Sequence, residues 1–311
     1  MEKSQRKKES VGVRIRKELK RNGQLYVIIA LPVLYLIVFQ FAPLLGNVLA
    51  FKDYKIKLGI FGSPWAGLKY FKQFFSSPQF ENLLSNTLLL SIGQLLLGFP
   101  LPIILALALN EAMSAKFKKV VQTVTFAPYF ISTVVLVSLI MQLLDPHMGL
   151  LTKVLAKFGI EGNLLGMPSA FRPIYILSGI WQTTGYSAII YIAALSSIDP
   201  NLYEAAAVDG ATRFQRILHV NIPGILPTIV VMLILESGKI MNIGFEKVYL
   251  LQNDMNLVNS EIISTYVYKI GLVKAQYSFS TAVGLFNSAV NAILVIFVNW
   301  VAKKFGEGGL W

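Results

Sequence analysis

Five long stretches of the chain, 22–51, 82–110, 120–144, 173–198 and 275–302, contain no Asp, Glu, Lys or Arg. A helix needs about 20 apolar residues to cross the hydrocarbon of a bilayer, and each run is longer than that. A sixth apolar stretch, 224–244, carries Glu236 and Lys239 within it. The pattern predicts an all-α, polytopic membrane protein with six transmembrane helices, at about 25–48, 84–109, 120–143, 173–196, 224–245 and 279–302. Pro32, Pro43, Pro100, Pro102, Pro128, Pro223 and Pro227 lie in or at the ends of these spans. Kinks there are tolerated where neighbouring helices satisfy the freed backbone groups, so a packed bundle is expected.

Composition agrees with this pattern. The 311 residues are 55% hydrophobic and 14% charged, against about 25% charged in soluble domains. Val48-Leu49-Ala50 has the look of a cleavage site. The apolar run before it far exceeds the roughly 7–15 residues of a signal-peptide core, so it reads as a retained span.

The longest plainly polar interruption between the first span and the C-terminal end is Glu204 to Pro227. Asp199 and Pro200 before it make a helix start, with Asp as N-cap and Pro at the first helical position. A short Ala-rich helix over 202–208 should follow. Gly210 should break it, since glycine is costly inside a helix and free to turn. A second short helix is expected over about 212–220, with Pro223 and Pro227 opening the next span. The prediction is a helix–Gly–helix elbow between two membrane segments.

Glu204-Ala205-Ala206, Gly210 after three intervening residues, and Val220-Asn221-Ile222-Pro223 beyond it resemble the EAA loop of ABC importer permeases. The family pattern is Glu-Ala-Ala, three residues, Gly, nine residues, then Ile-x-Leu-Pro. The chain departs from it only in Val220 and Ile222. The resemblance implies a type I ABC importer permease fold whose cytoplasmic coupling helix enters a cleft of the ATPase. Glu204, Ala205, Ala206, Asp209, Gly210 and Pro223 are then the ATPase-coupling residues. Weaker stretches resemble the carbohydrate-uptake branch, and within it the lipoprotein-partnered polysaccharide permeases. They are Gly67-Leu68-Lys69-Tyr70-Phe71 with Asn86-Thr87-Leu88, Gly244-Phe245-Glu246 with Tyr249-Leu250-Leu251-Gln252-Asn253, Tyr266-Val267-Tyr268, and Gly308-Gly309-Leu310-Trp311. The resemblance covers about 25–311. It implies an oligosaccharide substrate, a second related permease as heterodimer partner, two ATPase subunits and an extracellular solute-binding lipoprotein. Outer loops at about 49–83, 144–172 and 246–278 are candidates for docking that lipoprotein.

Charge sets the orientation. The net charge is +12. In a soluble chain this would suggest nucleic acid, but the basic residues gather beside apolar spans, where topology and anionic lipid explain them. Residues 1–24 form a basic cytoplasmic tail with nine Lys and Arg, and 25–311 form the permease domain with its EAA coupling loop at 199–223. With the tail inside, 16 of the 28 basic residues fall on inner segments and 11 on outer ones, and Lys239 lies in the membrane. Both termini are then cytoplasmic in the plasma membrane, and the elbow faces the cytoplasm too.

Catalytic chemistry is not apparent. The one Gly-Lys pair, Gly238-Lys239, is followed by Ile240 and lacks the earlier glycine of a P-loop. No cofactor is expected on this chain; ATP and Mg belong to the partner ATPase. There is no Cys. His147 and His219 fall on opposite sides of the predicted membrane and cannot share a metal, so no metal site is expected.

Polar residues inside spans are costly and usually face a cavity or a partner. Glu236, Lys239, Asn242 and Glu246 share one face of the predicted fifth span, with Glu236 and Lys239 spaced to neutralise each other. Gln182 and Tyr186 share a face of the fourth, and Asn287 and Asn291 continue a small polar stripe on the sixth. These eight are candidates for the substrate pathway; interhelical packing is the competing explanation, notably for the sixth-span stripe. Amides and aromatic faces suit a sugar, and they would suit a peptide.

Overall fold

A computed structural model describes residues 11–304. The basic residues Lys3, Arg6, Lys7 and Lys8 and the Gly308–Trp311 stretch lie outside the described residues. What is described is helical, apart from turns and one isolated bridge between Lys52 and Trp65.

Four helical stretches are long and apolar enough to cross a membrane: Arg21–Phe51, Phe80–Glu111, Arg213–Ser237 and Tyr277–Lys304. A fifth arises if Ala115–Phe130 and Thr133–Leu143 are taken together. They are bent by 100° at their junction, so the stretch expected over 120–143 is two helices rather than one. Pro128 lies in a tight final turn, and the Ser132 hydroxyl then accepts the Val135 N–H and starts a new helix. Between these elements runs the 29-residue helix Pro168–Ser196, which is amply long but more polar.

Three further boundaries differ from expectation. The fifth span is not helical through 245. Its helix, Ile222–Ser237, stops at Ser237, and 238–244 is a broken segment holding a short turn at Ile240–Asn242. A new helix, Phe245–Leu251, follows. The second helix of the elbow, Arg213–Arg216, is not separate either. It runs through a widened turn, Ile217–Asn221, straight into Ile222–Ser237. At the other end of the chain, helix begins at Val11, inside the stretch read as a tail, with its break at Asn22.

Pro168–Ser196 is the centre of the packing. Its Phe171, Tyr175 and Ile176 meet Leu136, Ile140 and Val248 in one core, and its Ala188, Tyr191 and Leu195 meet Ala106, Leu107 and Ile225 in another. Gly185 lets this helix lie directly on the Thr125 carbonyl, where any Cβ would collide. A third core joins Phe74, Leu83, Phe279 and Val283. Hydroxyls on these apolar helices are satisfied by the carbonyl one turn back, as Thr87 on Leu83, Thr183 on Gly179 and Thr184 on Ile180. The side chains of Leu25, Leu31, Phe39 and Leu45 face outward, as the lipid side of a span requires.

Candidate functional site: an exposed elbow and an intramembrane cavity

The elbow begins at Asp199, whose carboxylate accepts the Asn201 N–H at 2.9 Å and caps Pro200–Val208. The helix closes at Gly210, which sits at φ +72°. There the Ala211 N–H returns to the Ala206 carbonyl at 2.9 Å, a closure that needs a left-handed residue. Thr212 and Gln215 then form a reciprocal capping box for Arg213–Arg216. No residue of either helix is buried. Glu204, Ala205, Asp209, Gly210 and Pro223 are exposed, and Ala206 is half-buried. Three apolar side chains stand out beside them: Leu202, Phe214 and, at 88% exposure, Val208.

Behind the elbow lies a polar cluster. The Tyr203 hydroxyl donates to Asn221 Oδ1 at 2.7 Å, and Asn221 Nδ2 donates to Glu111 Oε1 at 3.3 Å. Arg216 Nη2 pairs with Glu111 Oε2 at 2.9 Å. Neither Glu111 nor Arg216 carried a sequence signal; their juxtaposition is tertiary.

A cavity of about 780 Å³ opens between the central helix, the bent pair and the broken segment. Gln182, Tyr186, Glu236, Lys239, Asn242 and Glu246 all line it. They reach it from separate elements, because the helix ends at Ser237; the single face drawn through Glu236, Lys239, Asn242 and Glu246 does not exist. Lys239 Nζ and Glu236 Oε1 are 2.7 Å apart and offset each other's charge. Gln182 Nε2 donates to the Ile131 carbonyl at 2.9 Å and so satisfies backbone freed at the bend. Tyr186 stacks on Tyr129, centroids 3.7 Å apart and rings nearly parallel.

The sixth-span asparagines are placed differently. Asn287 lines a second recess of about 580 Å³, where its amide donates to Asn242 Oδ1 and to the Met241 carbonyl, each at 3.0 Å. Asn291 lines neither space. Its amide bridges the Gly238 carbonyl and the Met241 N–H, both orphaned where the helix breaks. Asn291 therefore braces the broken backbone. Asn291→Leu should lower the melting temperature of the purified permease by several degrees. Two unpaired buried groups cost about 1–3 kcal/mol each, and uptake per assembled complex should be unchanged.

Several lining residues were not legible as such. Gln94, Tyr129, Tyr175 and Lys247 face the cavity. Lys247 is buried, donates to the Tyr175 carbonyl at 2.8 Å and lies 4.6 Å from that residue's ring centroid. The adjacent Glu246 hinted at a polar position, but nothing local distinguished a buried lysine from a loop one. Among the described residues no cluster of His, Asp or Glu is arranged to hold a metal.

Comparison with known proteins bears on this arrangement. Residues 98–307 match the family described as binding-protein-dependent transport system inner membrane component. The chain is 48% identical to the polygalacturonan/rhamnogalacturonan transport system permease protein YteP of Bacillus subtilis (strain 168), over 94% of this chain and 92% of that one. It is 42% identical to protein LplB of the same organism, with the same coverage. Among solved structures it resembles a bacterial alginate ABC transporter in complex with alginate pentasaccharide-bound periplasmic protein. There the TM-score is 0.88 and the identity 39%, over 96% of this chain and all of that one. A match over this much of the sequence and backbone shows an ABC importer permease fold and a transport subunit rather than an enzyme, and the chain belongs to the family of binding-protein-dependent transport system inner membrane components.

Proposed function

We propose that this chain forms part of the translocation pathway of an oligosaccharide importer and passes the work of a separate ATPase to that pathway through its elbow. The cavity carries the reading. It combines a stacked tyrosine pair, amides and a neutralised Glu–Lys pair in a space of about 780 Å³ inside the apolar helices. Sugars present apolar ring faces and hydroxyls together, and such a lining meets both. Relatives named for polygalacturonan, rhamnogalacturonan and alginate point to the same class. The decisive test is uptake of labelled oligosaccharides by membrane vesicles holding the complete transporter, with a peptide of equal size as comparison. Peptide uptake without sugar uptake would remove the assignment.

The partners follow from the same reading. A second related permease completes the pathway, two ATPase subunits bind ATP and Mg on the cytoplasmic side, and a solute-binding lipoprotein delivers substrate outside. The exposed Val208, Phe214 and Leu202 on the elbow suit burial in an ATPase cleft. Phe61, Trp65, Met148 and Phe158 are exposed on the proposed outer side, where the lipoprotein docks. There the Tyr70 hydroxyl donates to Asp53 at 2.6 Å and holds that carboxyl below the usual carboxylate range.

The proposed topology has six spans, with Pro168–Ser196 as the fourth and both termini in the cytoplasm. Because the chain has no Cys, single cysteines can map it. Phe61, Met255 and Met113 are well exposed. Phe61→Cys and Met255→Cys should react in intact cells with a membrane-impermeant maleimide. Met113→Cys should react only after the cells are opened, and early labelling there overturns the orientation.

A further inference from the structure

The helix Pro200–Val208 is held to the rest of the chain by very little. It buries no residue. Among the described residues, its one side-chain hydrogen bond to another element is that from the Tyr203 hydroxyl to Asn221. Tyr203 immediately precedes Glu204. Asn221 is 0% exposed and ends the widened turn at the foot of Ile222–Ser237. Its amide donates in turn to Glu111, the last residue of Pro100–Glu111. A carboxylate at a helix C-terminus meets the negative end of the helix dipole, so Glu111 is poorly placed for that helix alone. Arg216 and Asn221 offset the cost, since they supply a cation and an amide to its two oxygens. One carboxylate is thus shared between the end of one span and the beginning of another, and the elbow helix hangs from the same cluster. Widened turns of this kind recur at functional positions. Here the turn separates Arg216 from Asn221 so that both reach Glu111.

We propose that Tyr203, Asn221, Glu111 and Arg216 form a transmission joint, which moves the foot of Ile222–Ser237 and the end of Pro100–Glu111 together when the ATPase displaces the elbow helix. Both spans contribute to the cavity wall, through Glu236 and Met232 on one and Pro102 on the other. A displacement carried through the joint therefore changes the cavity directly. The four are positioning residues: none of them lines the cavity. The joint rests on the coupling role proposed above for the elbow.

The test uses the assembled transporter, both permeases with both ATPases, in lipid nanodiscs. Thr183, which lines the cavity, is replaced by Cys as reporter, and its reaction rate with a maleimide is measured before and after trapping with ATP and vanadate. This readout needs no knowledge of the sugar. With the joint intact, trapping should change the rate at least about fivefold, the low end of ordinary coupling between sites. Tyr203→Phe removes one hydroxyl and no volume, and Glu111→Leu removes the shared acceptor. In either variant the change should fall below about twofold, with nucleotide trapped to the same extent. Glu111→Gln keeps one acceptor oxygen but turns an amide N–H2 toward the other donor, so it should retain only part of the change. The proposal is overturned if Tyr203→Phe and Glu111→Leu respond like the parent, or if any loss merely tracks loss of assembled complex. Gly210→Leu separates the two readings. If it too leaves the response intact, the elbow itself is not the coupling element. If it abolishes the response while the joint variants keep it, only the joint is wrong.

Discussion

Gly210→Leu is expected to leave the permease folded, inserted and assembled, and to abolish uptake. Gly210 sits at φ +72°, and a Cβ built there meets nothing within 4 Å. The cost inside this chain is therefore confined to the backbone, about 1–2 kcal/mol for an L-residue in the left-handed region. That is too little to unfold a bundle with three apolar cores. It is enough to reopen the turn through which Ala211 returns to Ala206. The empty space beside Gly210 belongs to the partner in the proposed reading, so the leucine side chain also stands between elbow and ATPase. Uptake should fall at least tenfold, equivalent to about 1.4 kcal/mol of lost coupling. Glu204→Lys should act in the same direction and more weakly, because Glu204 is exposed and its charge is offered to the partner. Normal uptake and substrate-stimulated ATP hydrolysis in both variants would falsify the coupling assignment.

Tyr186→Ala is the second large effect. Its ring lies nearly parallel to Tyr129 on the cavity wall. Stacked aromatic pairs contribute about 0.5–1.5 kcal/mol beyond the area they bury, so the fold should tolerate the loss. A sugar would lose one ring face and a phenol. Uptake should drop roughly tenfold, again about 1.4 kcal/mol, while basal ATP hydrolysis and complex assembly persist. Asn242→Leu should behave similarly, with some loss of stability as well, since Asn242 also accepts from Asn287. If instead the melting temperature falls first and transport per assembled complex is unchanged, these residues are packing rather than pathway.

Much of this protein was legible along the chain because the relevant forces are local or one-dimensional. The cost of placing charge in hydrocarbon leaves charge-free runs, and those runs located the long apolar helices. Capping is equally local: Asp199 and Pro200 start the elbow helix where expected, and a positive φ falls on Gly210. Tertiary structure decided the rest. The bend of 100° in the third span is tolerated because Gln182, 51 residues away, reaches the Ile131 carbonyl. The break after Ser237 survives because Asn291 and Asn287, arriving from the last helix, satisfy its backbone. The bend leaves no gap in the charge-free run over 120–144, and Glu236 and Lys239 mark the second region as polar without showing that the helix stops there. The bracing contacts of Asn291 were likewise invisible along the chain. Lys247 and the Glu111–Arg216 pair gained their roles from partners 72 and 105 residues distant. Periodicity fixes which residues avoid water, but only the packing of helices decides which polar group meets which vacancy in another backbone.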